Sequence, residues 1–142
     1  MDGGMGEQLA KTFVAAVASR DSAAWAAMFT DDAKYAIPET PEPVRGREAL
    51  DAMASMFFEA FPDMAFEVRT VIEQGSIVVL EAATKGTFTG PMATPEGEVP
   101  PTGRSYIAPL VAICELTDTG LIAECREYYD PAGLAAQIGL SG

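Results

Sequence analysis

The sequence predicts an α+β fold in which a strongly curved, mostly antiparallel sheet wraps around about three N-terminal helices. Three observations lead there. Apolar residues recur at helical spacing up to Phe61, strand-like alternation takes over from Met64 to Tyr129, and two strand connections, Gln74-Gly75 and Asp118-Thr119-Gly120, are short enough for tight turns. Runs 76–89, 104–116 and 121–129 are expected to form the curved wall of a deep, mostly apolar pocket, which the segments before and after them close.

Residues 1–6 read as a loose start. From 7 to 19, Leu9, Phe13, Val14 and Val17 recur at helical spacing. Arg20-Asp21-Ser22 breaks the chain and restarts it, with Asp21 or Ser22 placed to cap a second helix that carries Trp25, Met28 and Phe29 on one side. Thr30-Asp31-Asp32 turns into a short strand, 33–37, ended by Pro38. Residues 38–46, with three prolines and two glutamates, read as a surface loop. A third helix covers about 47–61. Its Leu50, Met53, Phe57 and Phe61 are spaced by three and four, and Pro62-Asp63 stops it.

A strand over 64–73 turns back into 76–89. There Val78, Leu80, Ala82, Thr84, Gly86 and Phe88 share the drier face, which is pointed at the pocket. Residues 90–103 read as a long loop with four prolines and two acids. Run 104–116 is apolar on both faces, so each face needs a cover: helices on one side and, on the other, a second copy of the chain in a homodimer. Asp130 is placed to cap a short last helix that Pro131 opens and that ends near Ile138-Gly139. The 142 residues are expected to form one domain.

Nine basic residues face 21 acidic ones, a formal charge of −12. That balance argues against nucleic acid and against an anionic membrane surface, since both need clustered Lys and Arg. No long apolar run and no cleavable leader is visible, so a cytoplasmic location is expected. There is no histidine, which excludes Ser-His and Cys-His nucleophile systems, and Cys114 and Cys125 alone make a poor zinc site. The two cysteines are read as buried thiols facing each other on consecutive strands. No metal and no cofactor is expected.

Several pieces in order carry a resemblance: Phe29-Thr30-Asp31-Asp32-Ala33, Arg45-Gly46-Arg47-Glu48-Ala49, Phe61-Pro62-Asp63, Gly86-Thr87-Phe88-Thr89-Gly90, Pro101-Thr102-Gly103-Arg104, Gly120-Leu121-Ile122-Ala123-Glu124 and the closing Asp130, Leu134, Gln137, Ile138 and Gly139. With these, nearly the whole chain resembles the SnoaL-like polyketide cyclases of the nuclear-transport-factor-like superfamily. The resemblance implies a cone with an apolar pocket and a cyclase that needs no cofactor. The chain departs from its relatives at polar positions. Phe88 stands where the cyclases commonly carry histidine. Phe13, Ile37 and Ala112 stand where the related ketosteroid isomerases carry Tyr, Asp and Asp.

The isomerase lining, carried over by strand parity, turns Tyr129, Glu127 and Cys125 inward, with Tyr35 inward on the first strand. Arg104 and Tyr106 are expected at the rim. A carboxyl at 127 among apolar side chains should hold its proton to higher pH and serve as acid or base, while Tyr35 and Tyr129 could donate to a substrate carbonyl. Phe13, Ile37, Met53, Phe57, Leu80, Phe88, Leu110 and Ala112 are the expected substrate-binding wall. Two cyclase mechanisms fit an apolar, polyketide-like substrate: an aldol-type closure through Glu127, or a shape-driven cycloaddition of Diels-Alder type. The alternatives are a binding module without turnover and an epoxide hydrolase or dehydratase.

Overall fold

The computed structural model describes residues 4–94 and 96–140. The expectations for residues 1–3 of the start, for Pro95 in the long loop and for residues 141–142 of the domain lie outside the described residues. Three helices, α1 (Met5–Ser19), α2 (Ser22–Ala26) and α3 (Arg47–Ala60), are interleaved with β1 (Phe29–Ala36) and β2 (Val44–Arg45). Then come β3 (Ala65–Gln74), β4 (Ile77–Thr87), a small pair β5 (Met92–Thr94) and β6 (Gly97–Val99), β7 (Ser105–Leu116), β8 (Ile122–Tyr128) and α4 (Pro131–Gln137). The main sheet runs β2-β1-β8-β7-β4-β3, antiparallel except where β1 lies parallel to β8. Among the described residues no helix is long and apolar enough to cross a membrane.

Local chemistry explains the element ends. The Asp21 carboxylate accepts from the Ala24 N–H and starts α2, and Asp130 does the same for Gly133 in α4, where Pro131 needs no partner for an N–H it lacks. Arg20 ends α1 in the left-handed conformation at φ 55°. Gly90 sits where an added Cβ would lie 1.8 Å from the Glu59 carbonyl oxygen, so only glycine lets this loop close on the end of α3. The Thr89 and Gly90 N–H groups donate to the Ala60 carbonyl there.

Three boundaries differ from the sequence reading. Phe29 opens β1 instead of continuing α2, because its backbone is drawn into the sheet beside Ile122 and its carbonyl accepts from the Arg47 guanidinium. Thr30-Asp31-Asp32 is therefore a break of register inside a strand, not a turn before one. The 38–46 loop ends in β2, which pairs with Lys34 and Tyr35, and the 90–103 loop contains the β5–β6 pair.

The sheet buries one face. On β4 and β7 the even-numbered residues point inward, and their pairing is continuous from Ile77↔Glu115 to Thr87↔Ser105, so Pro109 does not shift the parity. The outer face is not covered within the chain. Ile107 is 61% exposed and Val111 37%, so among the described residues nothing of this chain supplies the cover expected on the outer side of 104–116. Arg126 lies on that face and pairs with Glu115 at 2.6 Å and Glu124 at 3.2 Å. Cys114 and Cys125 are buried cross-strand partners with their sulfurs 3.8 Å apart.

Candidate active site

The sheet and helices do not close on each other completely. A cavity of about 470 Å³ remains between the inner face of β7–β8, α3, the 38–46 loop and α4. Aromatic packing holds its upper wall. The Trp25 ring packs edge-on with Phe13 at 6.1 Å and Tyr35 at 5.4 Å and tilted against Phe29 at 4.7 Å, and Phe13 meets Phe66 at 4.7 Å. These rings share one core with α1, so Tyr35 is fixed by its neighbours on both sides. The lining is mostly apolar and includes two glutamates but no lysine or arginine.

Glu127 is the deep acid. It sits on β8 opposite Ala112, is 9% exposed and opens onto the cavity. A bulge between Ile122 and Glu124 resets the strand, after which Cys125 and Glu127 both turn inward. Burial raises the Glu127 pKa to about 7; the neighbouring Tyr35 hydroxyl pulls it down, and the charge of Glu39 pushes it up. Tyr35 is itself held well above the usual phenol range, first by burial and then by the Glu127 charge.

Tyr129 stands nearer the mouth and donates to the Glu39 carboxylate, a contact that ties the end of β8 to the 38–46 loop. Its pKa is raised by burial and by that same hydrogen bond, whose proton Glu39 helps to hold in place. Tyr106 is 3% exposed, its hydroxyl 3.0 Å from that of Thr84, and both residues line the cavity. Burial raises its pKa as well.

The structure brings most of the predicted site residues to one place. Tyr35, Glu127, Tyr129, Phe13, Ile37, Met53, Phe57 and Leu110 all line the cavity. Leu80, Phe88 and Ala112 do not. Leu80 and Ala112 face each other across β4–β7 in the packed core that α1 covers, each 0% exposed. Phe88 lies past the end of β4, in a second cluster, against Phe61 at 5.6 Å. Strand parity gives the face but not the position along it, and α1 fills one end of that face. Sequence reasoning missed Glu39, read as part of a surface loop; it carried the parity of Ala112 to Tyr106 but placed that residue at the rim, whereas it is buried in the lining. Arg104 is exposed.

The pattern of the SnoaL-like polyketide cyclases matches residues 7–138. The chain belongs to the SnoaL-like polyketide cyclase family. Among solved structures it is similar to IdmH of Streptomyces antibioticus, a candidate polyketide cyclase, with TM-score 0.75 and 25% identity over 96% of this chain and 99% of that one. TsrD of Streptomyces laurentii shares the fold at TM-score 0.79 and 24% identity, covering 99% and 98%. A protein of ketosteroid isomerase-like fold from Catenulispora acidiphila, solved with trimethylamine, superposes at TM-score 0.78 with 18% identity over 94% and 93%. Among curated proteins none matches.

Proposed function

We propose that this SnoaL-like protein is a cyclase that closes a ring within an uncharged, largely apolar, polyketide-like chain, using Glu127 as its proton-transfer group. The observation that carries the reading is a buried carboxyl with a pKa of about 7 facing a mostly apolar cavity. At neutral pH such a group is divided between base and acid, the state that general acid–base catalysis favours. As base it removes a proton from a carbon next to a carbonyl. The enolate carbon attacks a second carbonyl of the same chain, a C–C bond forms, and the new alkoxide recovers the proton from Glu127. The cavity contributes by holding the two carbons together, which can lower a barrier by up to about 7–11 kcal/mol.

A linear poly-β-ketone, followed by chromatography of the ring-closed product, tests this. Glu127→Gln is expected to slow closure by about 10²-fold or more. An unchanged rate would remove proton transfer from the account. It would leave the shape-driven cycloaddition, which the apolar side chains Phe13 and Ile37 at the cavity wall favour. The same proposal places a second copy of the chain on the outer sheet face, where Ile107, Val111 and Tyr128 stand exposed together.

A further inference from the structure

Counting hydroxyl protons in the cavity separates its three tyrosines. The Tyr129 proton goes to the Glu39 carboxylate, an acceptor that returns none. The Tyr35 hydroxyl stands beside Glu127, whose charge helps to raise its pKa. The Tyr129 phenol is not free to donate to a substrate while its contact with Glu39 holds. The third pair differs. Tyr106 and Thr84 are both hydroxyls, 3.0 Å apart, and either can be the donor. Two O–H groups share one hydrogen bond, so whichever way it points, one O–H is left over. Among the described residues the pair has no other side-chain hydrogen bond, and both members line the cavity.

We infer that the Thr84–Tyr106 pair is the carbonyl-binding subsite of this cavity, with Tyr106 donating to the substrate oxygen and Thr84 as the residue that positions it. The inference rests on the cyclase reading above. A ketone or ester oxygen satisfies the spare donor, and nothing else polar in the lining is needed for it. When Thr84 donates to Tyr106, the phenol keeps its proton for the substrate and becomes a stronger donor through the chain of two bonds. As negative charge grows on the carbonyl oxygen during enolate formation, that bond strengthens, which is the condition for it to speed the reaction. The strand pairing Gly86↔Tyr106 and Thr84↔Ala108 fixes the two residues on adjacent inward positions, so their geometry is set by β4 and β7, not by a loop. The Phe61 ring, edge-on to Tyr106 at 5.1 Å, holds the phenol from behind.

The experiment uses the full chain and 2-acetylnaphthalene carrying a 13C carbonyl, read by difference infrared spectroscopy. The wild type is expected to bind the ketone with its carbonyl stretch shifted to lower frequency. Tyr106→Phe should lose most of that shift and bind about three- to tenfold more weakly. Tyr106→Phe combined with Thr84→Val, which removes both hydroxyls, should lose all of it, and circular dichroism shows whether that variant is folded. A full shift in the folded double variant would overturn the subsite, as would a wild type that fails to bind the ketone or to shift its stretch. Glu127→Gln distinguishes the two readings: a shift that depends on Tyr106 together with undiminished ring closure in Glu127→Gln would leave the subsite standing and remove the proton-transfer role alone.

Discussion

Glu127 couples the ionisation state of the cavity to the stability of the fold. Its carboxyl ionises near 4.5 in an unfolded chain and at about 7 in the folded one. Below 4.5 both states are protonated and burial carries no ionic penalty. Between 4.5 and about 7 the unfolded chain gives up the proton that the folded chain keeps, so this residue's contribution to stability falls as pH rises. Above about 7 the whole penalty is present, about 3 kcal/mol from the separation of the two values. Glu127→Gln is therefore expected to be more stable than the wild type at pH 8 by up to that amount, with the difference vanishing near pH 4. Urea unfolding of both proteins across that range checks it. A difference independent of pH would mean that Glu127 is not held neutral by burial. If the proposed proton-transfer role holds, stability and activity pull in opposite directions at this residue.

The elements divide the inner sheet face into a packed end and a hollow end. Leu80, at 0% exposure beneath α1, belongs to the packed end, so Leu80→Ala should cost about 2–5 kcal/mol of stability. The substrate carbonyl probe should still bind at temperatures where the variant stays folded, since Leu80 does not line the cavity. Loss of binding in a folded variant would contradict the division. The division also explains what the sequence could reveal. The periodicity of Leu9, Phe13 and Val17 and the alternation of β4 were enough to give each element and its buried side. The caps at Asp21 and Asp130 were legible because a short carboxylate before a helix has one common use. Glu127 and Tyr35 were found by carrying the isomerase lining over by strand parity, which survives small errors in strand ends. The position of Leu80, Phe88 and Ala112 along the face was not legible, because it depends on where α1 crosses the sheet. Glu39 was hidden for a related reason: its role arises from the 38–46 loop folding back to Tyr129, a contact between residues 90 positions apart.

At the scale of the whole molecule, the described residues leave a hollow inside and an uncovered apolar face outside. The outer one presents Ile107, Val111 and Tyr128 on a sheet face crossed by the Arg126 ion pairs. If a second copy covers it, Val111→Asp should convert a dimer to a monomer in sedimentation equilibrium while leaving the helical signal intact; a wild type that sediments as a monomer would remove that interface. The inner surface is the cavity, and the account depends on a carboxyl that is both buried and open to it. Carbon-13 NMR titration of the Glu127 side-chain carboxyl, assigned by its absence in Glu127→Gln, measures this most directly. The account predicts a midpoint at about 7. A midpoint at the ordinary value of 4.5 would show a solvated glutamate and contradict it.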